Sequence, residues 1–444
     1  MMQLLRFPQV RILAWTGVLC VLAHSAVAAT AIYPTTTSIT STADRMISYR
    51  NQQHSWQTAD GAVHVMVNQG SLPTGNSLAL FSSFDGGVTW NQEFSLANTD
   101  AFSVSDGMLS VVNGATTLFL AYATAQASGT ILYTSAAYNS ASQTWTLSPT
   151  TQTAFSAPNM LASNPAFSAD SAGNYWCAYT VENVSTQTYQ EMMSYRPVRS
   201  TTWTTTSLVF GGPDASLQHS ARPVSFTNGV AMIYESGQTM YWAYRLNGSA
   251  INAPWVTSTL YTNLPPYAED PYDTHYSIVA DAANDLHLAF VANQQLLYMR
   301  YLSSAGAWGP VRPLTANTIS AAYPQVILAG GNVVIMVNNQ QSVEVLQSTN
   351  NGNTFTLTQS LLHAAAPPGS SLYYGNPRVE APGRAMSPIP TFQQFVNGPI
   401  QGLMYFQVPV AMSPFCAVGT IQTVPGGRAI SPEMCSGRKS VVAR

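Results

Sequence analysis

Residues 83–90 read SFDGGVTW, and this octapeptide says most about the fold because it returns in weakened form along the chain. Residues 348–355, STNNGNTF, are the second clear copy, with an amide in place of the aspartate and the serine, glycine, threonine and closing aromatic kept. Between the copies, four aromatic-rich apolar runs each lead through a polar turn to a tryptophan. These are Trp145, Trp203, Trp255 and Trp308. The chain is therefore built of repeats.

The repeat has a nearly constant length. From Trp90 to Phe355, the closing aromatic residues lie at intervals of 55, 58, 52, 53 and 47 residues. A period of this size, carried by strand-like segments, is typical of a β-propeller. Seven strand patterns open at similar spacing, near His54, Asp106, Asn164, Arg222, His275, Tyr323 and Asn376. We predict an all-β propeller with four-stranded antiparallel blades, seven in number, with six as the alternative count.

The octapeptide also has a mechanical interpretation. The Asp85 carboxylate can accept hydrogen bonds from the backbone of the turn that follows it, and Gly87 can adopt a positive φ. Trp90 can pack between neighbouring sheets. A Thr-rich stretch at residues 30–42 is strand-prone, and we expect it to complete the final blade and close the ring.

The pattern S-x-D-x-G-x-T-W resembles the Asp box, and the chain is similar to the sialidase-like propellers with Asp-box (BNR) repeats. The resemblance extends through the period over nearly all of the chain after residue 29. It implies a structural role for Ser83, Asp85, Gly87 and Trp90, in a turn far from the active site of that family. Sialidases usually have six blades, which keeps the lower count open.

The N-terminus predicts export. Arg6 and Arg11 precede an apolar run, and Ala26-Val27-Ala28 offers a small-residue cleavage site. We expect a signal peptide at residues 1–29, a propeller at 30–410 and a tail at 411–444, in a secreted or periplasmic protein. A retained membrane anchor is the alternative, but the apolar run is short for a membrane span.

Composition narrows the partners. Charged residues make up 8% of the chain, and the formal net charge is −3. This balance lacks the positive field that nucleic acid or an anionic membrane needs. An oxidising compartment would allow a disulfide between Cys416 and Cys435. We expect a monomer that binds a glycan or polysaccharide, with no cofactor, no metal and no membrane span in the mature chain.

Polar residues at the strand starts are the candidate site, because the innermost strands of a propeller begin near its axis and would share one funnel. The candidates for substrate binding are His54, His219, Tyr276, Asp273 and Asn376. Asp273 belongs to the densest acidic cluster, with Glu269 and Asp270. Polar residues at strand starts also solvate loops or cap backbone groups, so a structural role for each of them stays open.

A sialidase needs three arginines that grip a carboxylate, a tyrosine nucleophile with a neighbouring glutamate, and an aspartate acid/base. The candidate catalytic residues are Arg222, Glu235, Tyr323, Arg378 and His275, with Tyr374 as another possible nucleophile. The F/Y-R-I-P motif of the family's first arginine is missing, and Arg45 and Arg50 are the nearest substitutes. These assignments therefore follow from residue type and predicted location.

Two functions remain open from the sequence. The first is an exported glycan-processing enzyme, either a sialidase-like hydrolase or a polysaccharide lyase that uses His219, Arg222, His275 and Tyr276. The second is a non-catalytic carbohydrate-binding or cell-surface interaction propeller, which the missing motif and the eroded repeats favour. Whether the protein is an enzyme is thus undecided at this stage.

Several other polar residues are predicted to be structural. His64 and His287 alternate inside apolar strand patterns and are expected to be satisfied histidines of the core. Arg196, Arg245 and Arg300 each end an equivalent apolar strand just before the turn of a repeat. Their recurrence at one repeat position indicates contacts with solvent or with a neighbouring blade.

Overall fold

The computed structural model describes residues 29–31, 34–43, 45–47, 52–72, 75–100, 105–112, 114–125, 129–214, 221–226, 228–236, 238–251, 253–262, 264, 276–292, 295–314, 323–339, 342–362, 366–372 and 379–411. All regular structure in these ranges is β-strand. Accordingly, the described part of the chain has no apolar helix of membrane-spanning length.

The N-terminal strands are β1 (Ala29–Ala31) and β2 (Thr35–Ser41). Sheet 1 contains β3 (Ser55–Gln57), β4 (Val63–Leu72), β5 (Gly75–Ser83) and β6 (Asn91–Ala97). Sheet 2 contains β7 (Asp106–Val112), β8 (Ala115–Ala123), β9 (Ile131–Asn139), β10 (Thr144–Leu147) and β11 (Gln152–Phe155). Sheet 3 contains β12 (Met160–Ala169), β13 (Tyr175–Asn183), β14 (Thr188–Arg196) and β15 (Thr204–Asp214).

Sheet 4 contains β16 (Ala221–Phe226), β17 (Gly229–Ser236), β18 (Thr239–Leu246) and β19 (Val256–Thr262). Sheet 5 contains β20 (Tyr276–Ala280), β21 (Leu286–Ala292), β22 (Gln295–Leu302), β23 (Ala307–Trp308) and β24 (Arg312–Pro313). Sheet 6 contains β25 (Gln325–Ala329), β26 (Asn332–Asn339), β27 (Ser342–Ser348) and β28 (Thr356–Leu362). The last strands are β29 (Ser371–Leu372), β30 (Val379–Glu380), β31 (Arg384–Ala385), β32 (Ile389–Asn397) and β33 (Ile400–Val408).

These strands form a β-propeller. Within each of sheets 1 to 6, the first four strands pair antiparallel in sequence order, while β11 adds to β9 and β24 adds to β22. The first strands of successive sheets contact one another, as β7 does with β12, β12 with β16, and β16 with β20. The first strand is therefore the innermost one. The described residues form seven sheets. We interpret each sheet as one blade, so the count of seven blades stays a prediction.

The ring closes through the N-terminal strands. β2 pairs antiparallel with β33, from Thr35 opposite Tyr405 to Ser41 opposite Gln401. These two strands form sheet 7 together with β32, β29 and β30, whereas β31 pairs parallel with β25 of sheet 6. β1 adds to sheet 6 by pairing parallel with β28. Closure by an N-terminal strand leaves fewer sheet edges unpaired.

The core lies between neighbouring sheets. In β21, Leu288 and Phe290 pack in a cluster with residues of sheet 4, whereas Ala289 and Val291 pack in a cluster with residues of sheet 6. Alternate residues of a strand point to opposite faces. Because both faces of such a strand are covered, its sequence is apolar almost throughout.

The octapeptide forms a tightly bonded turn between β5 and β6. The Asp85 carboxylate accepts hydrogen bonds from the backbone N–H groups of Val88 (3.0 Å) and Thr89 (2.9 Å), and the Thr89 hydroxyl donates to it as well (2.6 Å). The bonds from Thr89 lower the pKa of Asp85 to about 2. The turn is thus held by a charged acceptor at its centre.

Gly87 meets two requirements of this turn. Its φ is +95°, and a Cβ at this position would collide with the ring of Tyr405 in sheet 7. In the second copy, Gly352 has a φ of +77° and lies as closely against Tyr298 of sheet 5. A glycine is needed at both positions for backbone conformation and for close approach.

The second copy also shows why an amide can replace the aspartate. Asn350 Oδ1 accepts the backbone N–H of Thr354 (2.9 Å), and its Nδ2 donates to the Thr354 hydroxyl (2.8 Å). The Ser348 hydroxyl accepts the Gly352 N–H at 2.8 Å, as Ser83 does from Gly87. The same bonded turn therefore forms without the charge.

Each closing aromatic residue packs edge-to-face on a ring of the preceding sheet. The ring centroids in these six contacts are 4.8–5.8 Å apart. The pairs are Trp90 with Phe392, Trp145 with His64, Trp203 with Tyr133, Trp255 with Trp176, Trp308 with Trp242, and Phe355 with Tyr298. We call these six residues the aromatic plugs. Trp90 belongs to sheet 1 and its partner to sheet 7, so the contact also spans the point where the ring closes.

Arginines hold the turns of sheets 3 and 4, which have no aspartate at the equivalent place. Arg196 donates to the carbonyl of Ser200 (3.0 Å), and Arg245 donates to that of Ile251 (2.6 Å). The Arg196 guanidinium also lies over the rings of Tyr133 and Tyr175, at 4.6 and 4.4 Å. In these turns a cationic side chain donates to backbone carbonyl oxygens, whereas in the octapeptide turn the Asp85 carboxylate accepts from backbone N–H groups.

His64 lies under the plug of the next sheet. Its Nδ1 accepts a hydrogen bond from Trp145 Nε1 (3.2 Å) and is 2.8 Å from the Ser82 hydroxyl, and its Nε2 is 3.1 Å from Thr58 Oγ1. Burial lowers the pKa of His64 from 6.5 to about 3. The imidazole is therefore neutral in the folded protein at neutral pH.

We expect Trp90→Ala to lower the free energy of unfolding by about 3–5 kcal/mol, because it empties the contact between sheets 1 and 7. Urea denaturation followed by circular dichroism measures the loss. Val88→Ala is the matched control on the same turn, since Val88 is 77% exposed. It should change stability by less than about 0.5 kcal/mol. Equal midpoints for the two variants would contradict a plug role for Trp90.

His64 should make stability fall in mild acid. The unfolded histidine binds a proton below pH 6.5, whereas the folded one resists protonation down to about pH 3. The stability contributed by neutral His64 is thus complete above pH 6.5 and is lost as the pH falls towards 3. As the pH is lowered between these limits, the unfolding free energy of the wild type should decrease more steeply than that of His64→Gln. The difference in slope should be up to about 1.4 kcal/mol per pH unit. Parallel curves would show that His64 does not contribute.

Candidate functional site at the propeller axis

The innermost strands bring a set of polar side chains together near the axis. Asp106 begins β7, Arg222 lies in β16, Gln325 begins β25, Glu380 lies in β30, and His54 directly precedes β3. These five residues, from sheets 1, 2, 4, 6 and 7, are called the axial cluster below. It contains two carboxylates, one guanidinium, one imidazole and one amide.

Asp106 connects four sheets. Its carboxylate accepts the backbone N–H groups of Gln53 before sheet 1 and Phe167 in sheet 3, both at 2.6 Å, and Arg222 Nη1 of sheet 4 at 3.0 Å. The Asp106 side chain is fully buried. Burial raises the pKa of Asp106, while the Arg222 guanidinium and the two N–H groups oppose that shift. Each of these partners is a donor, so a neutral amide would not fit equally well.

Glu380 and His54 continue the cluster on the other side. Glu380 accepts the backbone N–H of His54 (3.2 Å) and lies 3.6 Å from His54 Nδ1. Gln325 Nε2 donates to Glu380 (3.3 Å), and Gln325 Oε1 accepts the N–H of Ala381 (2.7 Å). His54 is completely buried, so this part of the cluster supports the site from within.

Arg222 has the most exposed side chain of the axial cluster. Its side chain is 15% exposed, while that of its partner Asp106 is 0% exposed. A guanidinium presents a planar fork of donors that matches a carboxylate. The Nη1 atom of this fork bonds Asp106 Oδ2 at 3.0 Å.

The register of sheet 4 places two predicted catalytic residues on one face. Arg222 of β16 lies opposite Ile233 of β17, and Glu235 follows Ile233 by two residues on β17. Because side chains alternate along a strand, Arg222 and Glu235 point to the same side of the sheet. Burial raises the pKa of Glu235 to about 8. At neutral pH it is mostly protonated and can donate a proton.

Two other predicted site residues are buried in the described structure. Tyr276 is 0% exposed, packs in the cluster between sheets 4 and 5, and donates its hydroxyl to the carbonyl of Ile233 at 3.2 Å. Tyr323 is 6% exposed. A side chain enclosed in this way does not face an open funnel, so neither tyrosine is part of the site proposed below.

The remaining predicted site residues lie outside the described ranges. They are His219, Asp273, His275, Asn376 and Arg378, together with the alternative nucleophile Tyr374 and the predicted disulfide partners Cys416 and Cys435. Their roles stay predictions. In the described ranges, no group of three or more histidine, cysteine, aspartate or glutamate side chains is arranged to hold a metal ion.

Asp106, Gln325 and Glu380 are site residues that the sequence pattern does not predict. Asp106 stands in that pattern only as the opening of a strand. Its charge within an apolar strand, in a chain with 8% charged residues, was the available signal. Glu380 gives the same signal, because it is a charged residue between the apolar Val379 and Ala381.

The comparisons with known proteins concern the fold. A Trypanosoma rangeli sialidase has 12% identity and a TM-score of 0.42, with 70% of this chain and 54% of that chain covered. The polysaccharide lyase Uly1 has 11% identity and a TM-score of 0.43, with 82% and 90% covered. The fucose-binding Aleuria aurantia lectin, a six-bladed propeller, has 12% identity and a TM-score of 0.40, with 71% and 96% covered.

No protein-family profile and no curated protein matches this sequence. Identities of 11–12% and TM-scores of 0.40–0.43 carry no information on activity or substrate. The function proposed below therefore depends on the residues of this chain.

Glu235→Gln should change how stability depends on pH. The carboxyl has a pKa of about 8 in the folded protein and 4.5 in the unfolded one, so its neutral form is favoured on folding. Its contribution is complete below pH 4.5 and is lost as the pH rises through 8. Relative to Glu235→Gln, the wild type should lose stability between pH 5 and 8 in denaturation experiments. Identical pH profiles would contradict burial of this carboxyl.

Proposed function

We propose that this chain is an exported, glycan-directed propeller that binds an acidic glycan in its central funnel. Arg222 would pair with a sugar carboxylate there. The observation that carries this proposal is the Arg222 side chain at the axis, which is 15% exposed and bonds the buried Asp106 through Nη1. Because Asp106 already holds this arginine in place, its side chain loses little further conformational freedom when it binds a carboxylate.

Composition supports a carbohydrate ligand over a macromolecular anion. With 16 Lys and Arg against 19 Asp and Glu, the chain has no excess of positive charge for nucleic acid. Charged residues are only 8% of the chain, and 11% are aromatic. Hydroxyl and amide groups with aromatic faces match the polar edges and apolar faces of sugar rings.

In the catalytic form of the proposal, Glu235 supplies the proton. A protonated carboxyl can act as general acid on a glycosidic oxygen in a sialidase-type hydrolase. In a lyase, a base would remove the proton α to the uronate carboxyl while Arg222 neutralises the charge that develops. The bond from the β carbon to the glycosidic oxygen would then break as the double bond forms, and Glu235 would give its proton to the leaving oxygen. His275 and Arg378 are the further candidates for these steps, by residue type and sequence position. Turnover of either kind would come from the same funnel.

A binding-only propeller is the second candidate function. The burial of His54, Tyr276 and Tyr323 favours it, because these side chains are not presented to a substrate. The missing F/Y-R-I-P motif points the same way. Under this alternative, Arg222 binds the glycan and no bond is cleaved.

Binding and turnover can be measured together. The protein is tested against sialylated and uronate-containing oligosaccharides and their neutral counterparts, with affinity from calorimetry and products from mass spectrometry. We expect Arg222→Ala to weaken binding of an acidic glycan by about 10- to 100-fold, the value of a charge-assisted hydrogen bond.

Arg300→Ala is the matched control for this experiment. Arg300 is also 15% exposed and also paired with a carboxylate, Asp285, but it lies in sheet 5 away from the axial cluster. It should leave binding unchanged. Cleavage products would identify an enzyme, and binding without products a lectin-like protein. If no acidic glycan binds, or if both arginine variants weaken binding equally, the proposal fails.

A further inference from the structure

We infer that Asp106 is the positioning residue of the glycan site: it holds the Arg222 guanidinium in its binding orientation and links the site to the packing of sheets 1 to 4. This inference rests on the proposed function of Arg222. Asp106 would not touch the ligand, because its side chain is 0% exposed.

The geometry supports an action through Arg222. The ion pair joins residues that are 116 positions apart, from the first strands of sheets 2 and 4. Sheet 3 lies between them in the chain and contributes the N–H of Phe167 to the same Asp106 oxygen, Oδ2. That oxygen therefore has a fixed position before Arg222 reaches it. The other oxygen, Oδ1, is fixed by the N–H groups of Gln53 and Gly107, at 2.6 and 2.9 Å.

This arrangement fixes the direction of the guanidinium. Arginine has many rotamers, and their immobilisation costs binding free energy when it occurs only in the complex. A buried carboxylate with three backbone donors has no freedom to follow the arginine, so the arginine must follow it. The selectivity for acidic sugars thus depends on a residue that the sugar does not contact.

Asp106→Asn is the variant that isolates this role. The asparagine keeps the shape of the side chain but removes the charge. All four hydrogen-bond partners of Asp106 are donors. The asparagine NH2 group would therefore face other donors and could not accept their hydrogen bonds. Asp285→Asn is the matched control. Asp285 is also largely buried, accepts the N–H of Ser303 (2.8 Å) and pairs with Arg300, but lies outside the axial cluster.

Affinities are measured by calorimetry for two acidic probes and their neutral counterparts: sialyllactose against lactose, and trigalacturonate against its methyl ester. We expect Asp106→Asn to weaken binding of the acidic probe about tenfold or more, and Asp285→Asn to leave it within twofold. In an Arg222→Ala background, Asp106→Asn should cause no further loss. Such non-additivity separates positioning from a general loss of stability.

The binding results distinguish failure of the positioning role of Asp106 from failure of the proposed function. If Arg222→Ala weakens binding but Asp106→Asn does not, the positioning role is wrong and the proposed function stands. The role is also wrong if Asp106→Asn weakens binding equally with and without Arg222. If neither acidic probe binds the wild type and the wider glycan panel is also negative, the proposed function itself fails.

A measurement on the wild type covers the case in which Asp106→Asn does not fold. A guanidinium held by a buried carboxylate exchanges its Nη protons slowly, which gives a protected NMR signal. We expect one such signal to disappear in Arg222→Ala and to persist in Asp285→Asn. The absence of a protected Arg222 signal in the wild type would overturn the inference.

Discussion

The edge-to-face contact between each aromatic plug and a ring of the preceding sheet is the interaction on which the rest of the structure depends. The sheets share no backbone hydrogen bonds along most of their faces, so side-chain packing must hold them in order. A plug such as Trp90 is attached to its own sheet by a tight turn and reaches the neighbouring one. Repetition of this contact gives the propeller its period, and the turn glycines allow the close approach.

The turns that carry the plugs show that one geometry can be maintained by different chemistry. Asp85 and Asn350 accept backbone N–H groups, whereas Arg196 and Arg245 donate to carbonyl oxygens. A turn exposes both kinds of backbone group, and either can be satisfied by a side chain of matching polarity. The repeat can therefore lose its aspartate without losing its shape.

The axis is held together in a different way from the periphery. Apolar side chains pack between the sheets, but the innermost strands converge where their backbone groups crowd, and Asp106 and Glu380 accept these N–H groups. Burial of such carboxylates is costly unless they are fully bonded. The network that satisfies them also orients Arg222, so the stability of the ring centre and the proposed ligand site have one structural origin.

The sequence alone determined the β-propeller, the structural interpretation of the octapeptide and the placement of polar residues at strand starts, because a period of about 54 residues and apolar alternation are local signals. It could not decide which strand-start residues face the axis. Tyr276 begins β20, but its side chain packs between sheets 4 and 5 and its hydroxyl donates to the carbonyl of Ile233. The bond between Asp106 and Arg222 spans 116 positions. Only the tertiary structure decides such a contact, since it depends on how three successive sheets are packed around a common centre.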